Sequence, residues 1–266
     1  MIYPLFKSTA KSSWIIFIVF TAVLFMYMSI MVSMYDPENI DAMALYLETL
    51  PQGMIDAFGY DTTATDLVSF MGLYFYGFIA LLFPLIYCII LANRLVAVHV
   101  DRGSMAYLLA TPNTRVKIII TQALFMVISV VMLLILNTLI GIATSEAMFP
   151  GEMDIPAFLN LNLATIMLTL AISSICFFFS CLFSETKNSL AFGAGVPILF
   201  FVINMLRNIS DSYPWLRYLT IYSLFDPPQI VAGEQSVVLI SLIFTGITLV
   251  LYGSGIIIFS RRNLYL

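Results

Sequence analysis

The sequence predicts an all-α integral membrane protein with about six transmembrane helices, on three observations. Hydrophobic residues make up 61% of the 266 residues and charged residues only 10%, whereas soluble globular domains carry about 25% charged residues. Several stretches contain about 20 mostly apolar residues, the length that crosses a bilayer. Basic residues collect in alternate connections between these stretches. We therefore expect a single membrane domain over residues 1–266, because a soluble chain of this size could not bury so much apolar surface.

The six expected spans are separated mostly by polar connections. They cover roughly residues 14–34, 70–92, 118–143, 161–183, 189–206 and 237–259. The first run is about 20 residues long and is not followed by an A-x-A site, so it is predicted to be a retained span rather than a cleaved signal peptide. Pro84 in the second span and Pro197 in the fifth are expected to kink their helices.

The basic residues predict the orientation of the chain. With the N-terminus in the cytoplasm, nine of the eleven basic residues lie inside, and only Arg207 and Arg217 lie outside. The acidic residues divide the other way, with thirteen of fifteen outside. We interpret the acidic outer loops as solubilising surface rather than as a cation site. The prediction is a multi-pass protein of the cell membrane with both termini in the cytoplasm.

Two connections show amphipathic patterns outside the spans. Apolar residues from Ile2 to Phe6 precede Lys7 and Lys11, which is typical of an N-terminal helix lying in the membrane interface; a simple snorkelling flank is the alternative. The first outer loop, residues 35–65, has helical periodicity on both sides of Pro51, which predicts two short helices.

No residue pattern predicts catalysis by this chain. The sequence has no G-x-x-x-x-G-K-[ST] phosphate loop and no C-x-x-C motif, and its single histidine, His99, excludes a two-histidine metal motif. The three cysteines fall within apolar runs and are interpreted as buried small side chains. We therefore expect no catalytic residues, no metal site, no cofactor bound by this chain and no nucleic-acid partner.

A few polar or helix-perturbing residues lie at the depth of the spans. Asn137 and Asn204, together with Pro84 and Pro197, are candidates for lining a substrate path. Hydrogen bonding between helices is the alternative role of the two asparagines. Small residues in the last two spans predict close helix approach; they are Gly193, Ala194, Gly195, Gly253 and Gly255.

The cytoplasmic connection after the second span, residues 98–115, carries its charges at its edges. Its middle, Met105 to Ala110, is apolar but too short to cross a membrane. Such a helical turn would be costly in contact with water unless it docks against something. It is either a coupling helix held in a groove of a soluble partner or a loop packed against the spans of this chain.

This connection resembles that of ABC-2 type permease subunits, in which an acidic residue, a Gly-Thr-Leu-like step, Leu-Leu and then Pro, a small residue and Arg precede the third span. The matching positions here are Asp101, Gly103-Ser104-Met105, Leu108-Leu109, Pro112 and Thr114-Arg115. Three further stretches are similar in order along the chain: residues 46–59, residues 223–233 and residues 259–264.

The resemblance implies a bacterial exporter built from two permeases and two ATP-binding subunits, with ATP and Mg²⁺ held by the ATP-binding subunits. It implies that the N-terminal helix and the coupling segment contact those subunits, and that short outer helices before the last span help form an outer gate. The implied coupling residues are Asp101, Gly103, Met105, Leu108, Leu109, Pro112 and Arg115. Symmetry favours a pair of identical permeases.

The resemblance leaves the substrate open. With 22 Phe and 15 Met, the chain favours a hydrophobic or amphipathic substrate, such as a peptide or an antibiotic. A secondary carrier or channel working alone is the alternative function. It is disfavoured because charged residues are absent from the centres of the spans. The same absence disfavours a membrane-embedded enzyme.

Overall fold

The structure is a computed structural model that describes residues 2–35, 49, 51, 53–54, 66–105, 113–209 and 214–262. Over these residues all of the regular secondary structure is helical, as the predicted all-α fold class requires. The α-helices are α1 Tyr3–Met34, α2 Leu67–Met71, α3 Ile79–Ala92, α4 Val98–Asp101, α5 Arg115–Met148, α6 Ile155–Leu182, α7 Thr186–Ile209, α8 Pro227–Val231 and α9 Val237–Arg261. Wider π turns at Gly72–Tyr76 and Asn93–Ala97 adjoin α3, and 3-10 turns form Pro214–Tyr218 and Ile221–Leu224.

Within the described residues, six helical segments are long and apolar enough to cross a membrane: α1, the continuous run Ile79–Asp101, α5, α6, α7 and α9. The starts of α5, α6 and α9 are each set by a local side-chain cap. Thr114, Asp154 and Ser236 each accept a hydrogen bond from a backbone N–H three residues further on. Such caps satisfy N–H groups that have no partner within the helix. The predicted number of spans is confirmed.

Successive spans run in opposite directions, which places their ends in two groups. At the N-terminal end, the Ile2 N–H donates to Thr121 Oγ1 at 2.9 Å, which joins the start of α1 to the start of α5. At the opposite end, which we call the distal end, the rings of Tyr35 and Phe149 lie 5.3 Å apart. The distal end also carries the C-terminus of α7 and the short helical turns before α9.

Helix α6 lies at the centre of the bundle and contacts α3, α5, α7 and α9. In its most apolar window 67% of the residues are buried, whereas the figure is 17% in both α1 and α9. The peripheral helices leave large apolar side chains uncovered, including Leu249 and Val250 in α9. Lipid is the solvent that accepts such surfaces without cost.

The N-terminal segment differs from its prediction. Residues 3–34 form one uninterrupted helix, so the expected interfacial helix is the first part of α1 rather than a separate element. Pro4 sits in the first turn of α1, where its missing N–H costs nothing. Lys7 and Lys11 have good helix propensity, so nothing in the sequence interrupts the helix before Trp14.

The second span also differs from its prediction. The expected continuous helix over residues 70–92 is broken between Tyr76 and Ile79, where Phe78 leaves the helical conformation with φ −137° and ψ −60°. Pro84 lies further along, inside the continuous helix α3. The helix is therefore interrupted nearly two turns before Pro84, where a kink was expected, and next to Gly77, whose helix propensity is low. On the other side of α3, the helix continues to Asp101.

Glycines permit close approach of helices at some of the expected positions. A methyl group added to Gly255 would meet the Phe178 backbone at 3.4 Å, and one added to Gly193 would meet the Cys176 carbonyl oxygen at 3.5 Å. These two positions are confirmed as contacts with α6. Nothing in the described part of the chain lies within 4 Å of such a methyl group at Gly195 or Gly253.

A buried polar cluster joins three helical segments near the distal end. Asn162 Oδ1 in α6 accepts hydrogen bonds from Tyr76 Oη and Thr138 Oγ1, both at 2.8 Å. The Asn162 amide donates in turn to the Phe158 carbonyl oxygen. All three side chains are buried, so the cluster fixes the register of α5, α6 and the segment before α3.

Replacing Asn162 with leucine is expected to destabilise the bundle by about 1–3 kcal/mol, because Tyr76 Oη is left buried without its acceptor. Thr138 keeps its second bond, to the Leu134 carbonyl oxygen. The check is the thermal unfolding midpoint of the purified protein in detergent. Asn160→Leu is the matched control, since Asn160 is exposed in the same helix. Equal losses in the two variants would contradict the role of the cluster.

Candidate functional site

The start of the predicted coupling segment is folded against the end of the second span. Gly103 adopts φ +68°, a conformation that side chains disfavour, and so turns the chain directly after α4. The Ser104 hydroxyl and His99 Nδ1 share a hydrogen bond of 2.9 Å across this turn. Met105 is fully buried within the chain's own core. The entrance to the segment is therefore held rigidly to Ile79–Asp101.

Arg94 links this part of the second span to α1. Its Nη2 atom donates at 2.8 Å to both the carbonyl oxygen and the hydroxyl oxygen of Ser12. A cavity of about 270 Å³ lies beside this contact, between the first turns of α1 and residues 94–104. The Arg94–Ser12 contact therefore joins α1 to the second span at the N-terminal end.

Substituting lysine for Arg94 is expected to lower the free energy of unfolding by about 1–2 kcal/mol, because the flexible ammonium group does not reproduce the guanidinium geometry. This range is smaller than the full strength of charged hydrogen bonds because Arg94 is partly exposed to solvent. The midpoint of thermal unfolding in detergent measures the loss. Arg102→Lys supplies the comparison, because Arg102 is exposed, and an equal loss there would contradict the assignment.

A second set of contacts ties three further helices together at the N-terminal end. Arg115 Nη1 donates to the Arg262 carbonyl oxygen at 2.8 Å. The Arg262 guanidinium donates to the Cys181 carbonyl oxygen at 3.0 Å and to the Ser184 hydroxyl. Partial burial lowers the pKa of Arg262 from its usual value, without removing its charge. The start of α5 and the C-terminal ends of α6 and α9 are thereby joined through arginines.

The predicted coupling residues are thus only partly described. Asp101 is exposed, Met105 is buried, and Arg115 is used within the bundle. Leu108, Leu109 and Pro112 lie outside the described residues, as do the short helices expected on both sides of Pro51, apart from isolated residues. At Met105 the structure shows packing against the chain itself. Contact of the segment with a partner stays a prediction.

A large cavity opens at the distal end, under the connection between α7 and α9. Its volume is about 870 Å³, within the range of small-molecule sites. Arg207 and Arg217 line it together with the apolar Phe200, Leu219 and Ile221. The 3-10 turns that form its wall are anchored to α7, because the Thr220 hydroxyl donates to the Phe200 carbonyl oxygen at 2.9 Å.

Of the residues predicted to line a substrate path, Asn204 lines a second, smaller cavity at the distal end. This smaller cavity, of about 220 Å³, shares Arg207, Asn208 and Asp226 with the large one. Asn204 Oδ1 is buried without a hydrogen-bond partner in the described chain.

The other predicted path residues lie in the helices of the bundle. Asn137 Oδ1 in α5 is also buried and has no hydrogen-bond partner among the described residues, next to the cluster residue Thr138. Pro84 and Pro197 are buried inside α3 and α7.

Sequence reasoning missed three features of these sites. Arg94 was taken only as an inside charge, and Tyr76 and Asn162 were not distinguished from other residues of the spans. The distal cavity did leave a signal, because Arg207 and Arg217 are the two basic residues that the expected orientation places outside. Both line the same cavity.

The comparisons with known proteins identify the family. The family model described as ABC-2 family transporter protein matches residues 6–264. No curated protein and no solved structure matches the chain. The family match and the six apolar helices agree on a multi-pass membrane protein. The chain therefore belongs to the ABC-2 transporter family and is a permease of an ABC transporter, a kind of assembly that implies an ATP-binding partner.

Proposed function

We propose that this permease is the non-catalytic membrane subunit of an ATP-driven exporter, with two copies of the ATP-binding subunit holding ATP and Mg²⁺. Two identical permeases would form the path, as symmetry favours. The exported substrate is hydrophobic or amphipathic, in the chemical range of peptides and antibiotics. The observation that carries the proposal is the family match over residues 6–264, which leaves almost none of the chain for another domain.

The orientation that we propose places both termini and the N-terminal end of the bundle in the cytoplasm. It is supported by the distribution of basic residues, since this end carries Lys7, Arg94, Arg115 and Lys187. An ATP-binding subunit would then meet the segment after Asp101. The distal cavity would lie on the outer side, where substrate leaves.

The contacts at the N-terminal end support a route from such a partner to the spans. A displacement of the segment after Gly103 would act on α4 through the bond between Ser104 and His99. It would reach α1 through the contact of Arg94 with Ser12. Both links are short and local, so the segment and the two helices would move together.

The experiment that tests the proposal is affinity purification of the tagged full chain from native membranes in mild detergent, followed by mass spectrometry and an ATPase assay. We expect a soluble protein with a phosphate-binding loop in stoichiometric amount, and ATPase activity in the complex. A chain that repeatedly purifies without an ATPase would favour the alternative, a secondary carrier or channel.

The same preparation tests the pairing of permeases. Two copies of the chain with different tags are co-expressed, and one tag is used for capture. Recovery of the second tag supports a homodimer. Recovery of a different membrane subunit with the same family match, in place of the second tag, would replace the homodimer by a mixed pair.

A further inference from the structure

The distal cavity has a basic polar part. Among the described residues that line it are two guanidinium groups, of Arg207 and Arg217, and one carboxylate, of Asp226. Asp226 is already engaged, because its side chain accepts from the backbone N–H of Gln229 at 3.4 Å and from Gln229 Nε2 at 3.0 Å. Arg217 lies over the Tyr218 ring at 4.8 Å, and Arg207 has no hydrogen bond to the described part of the chain. The described residues of the lining therefore offer net positive charge to a ligand.

The cavity also reaches into the apolar part of α7. Phe200 and Arg207 both line it and are seven residues apart in one helix, a separation of about 10 Å along the axis. Leu219 and Ile221 extend the apolar lining from the opposite wall. The space therefore extends from the guanidinium group of Arg207 to the ring of Phe200.

Asn204 supplies an independent sign of a missing partner. Its side chain is only 9% exposed, and its Oδ1 atom has no hydrogen-bond partner in the described residues. It lies one turn below Asn208 in α7 and lines the smaller cavity that adjoins the large one. An unpaired buried carboxamide oxygen costs free energy unless a hydroxyl or amide group bonds to it.

We propose that the distal cavity binds an amphiphile whose head carries a negative charge together with hydroxyl or amide groups. The charge lies between Arg207 and Arg217, the hydrogen-bonding group reaches Asn204, and the apolar chain lies along Phe200. This chemistry fits an anionic lipid of the bilayer or a free anionic amphiphile. The inference rests on the proposed function only in assigning the site to the substrate class; the binding itself requires no ATP-binding partner.

The chain contains a reporter at this site. It has two tryptophans, and Trp215 lies two residues from Arg217 in the same 3-10 turn. In a Trp14→Phe background, quenching of Trp215 fluorescence by brominated lipid reports occupancy near the cavity. The full-length chain is placed in phosphatidylcholine nanodiscs that contain either brominated phosphatidylglycerol or brominated phosphatidylcholine.

We expect phosphatidylglycerol to reach half-maximal quenching of Trp215 at a mole fraction about fivefold lower than phosphatidylcholine, as two partly exposed charge pairs would produce. The double change Arg207→Gln with Arg217→Gln should remove this preference, and Arg207→Lys with Arg217→Lys should keep part of it. Arg261→Gln is the matched control, because Arg261 is exposed at the N-terminal end. The Trp215→Phe protein, which reports from Trp14, should not respond to the two arginine changes.

A second arm distinguishes the two sources of ligand. Dodecyl phosphate is added from solution to phosphatidylcholine nanodiscs, and the Trp215 emission is followed to saturation, with inorganic phosphate as the headgroup alone. An arginine-dependent preference in the first arm identifies a bilayer lipid; an arginine-dependent response in the second arm alone identifies a free amphiphile. An equal response of the Trp215 emission to inorganic phosphate would contradict the proposal that the ligand is an amphiphile.

The proposed site would be contradicted if neither arm showed a headgroup preference or a response. It would also be contradicted if the effect persisted in the variant with both Arg207→Gln and Arg217→Gln. A variant that does not fold is recognised by its thermal unfolding profile. In that case the variant with both Arg207→Lys and Arg217→Lys tests the site instead. Failure to find an ATPase would leave these binding results unchanged. Loss of the site would leave the ATPase result unchanged, so the two proposals fail separately.

Discussion

Replacement of Leu109 by aspartate is expected to reduce ATP-driven transport by about tenfold or more, and Leu108→Asp is expected to do the same. Both residues belong to the apolar middle of the segment after α4. If that segment docks in an apolar groove of the ATP-binding subunit, a carboxylate there is desolvated without a partner. Transport by the reconstituted complex is measured together with its ATPase activity. We expect hydrolysis to be uncoupled from transport.

The control for this prediction is Leu109→Met, which keeps an apolar side chain of similar volume and should transport normally. Membrane insertion of each variant is followed by its yield in the membrane fraction, which should not change. Unchanged ATP-driven transport in both aspartate variants would remove the coupling assignment. Loss of insertion instead would indicate that the segment packs against this chain, as Met105 does.

Gly141→Leu is expected to prevent normal packing of α5 against α6. A methyl group built on Gly141 would lie 2.7 Å from Phe158 Cζ and 3.3 Å from the end of Met28. Phe158 and Met28 are fully buried, so neither has room to withdraw. Overpacking by an alanine would cost about 1–3 kcal/mol, and the leucine side chain costs more. The folded yield after detergent extraction and the unfolding midpoint measure this loss.

Gly246→Leu is the matched variant for this comparison. Gly246 lies in α9, another spanning helix, and nothing in the described part of the chain lies within 4 Å of a methyl group built there. Its folded yield should equal that of the unchanged protein. If Gly141→Leu and Gly246→Leu behaved alike, close packing at Gly141 would not be a determinant of the fold.

The sequence predicted the spans because hydrophobic length is a property of a continuous stretch of chain. It did not predict the break between Tyr76 and Ile79, because the residues around Phe78 are as apolar as the rest of the span. The only helix-breaking residue recognised in this span was Pro84, which lies inside the continuous helix α3. The length of α1 was likewise not predicted, since the apolar residues before Lys7 and Lys11 suggested a separate interfacial helix, although nothing there opposes a continuous helix.

The sites could be predicted only where residues close together in the sequence form a recognisable pattern. The segment after α4 was found from its charges and apolar middle, which are adjacent in sequence. The contact of Arg94 with Ser12 spans 82 positions, and that of Arg115 with Arg262 spans 147, so no local pattern indicates them. The distal cavity was indicated by the two outer arginines. Its shape, however, depends on how the 3-10 turns fold back onto α7.

The break at Phe78 separates the second span from a short helix that precedes it. The short distal helix, residues 67–76, is held to α6 through Tyr76 and Asn162. The run Ile79–Asp101, which by itself is long enough to cross a membrane, carries Arg94 and His99. A single continuous helix would transmit a displacement of one end to the other. With the break between them, the long run can tilt while the distal helix stays in place, so the two ends of the bundle need not open at the same time.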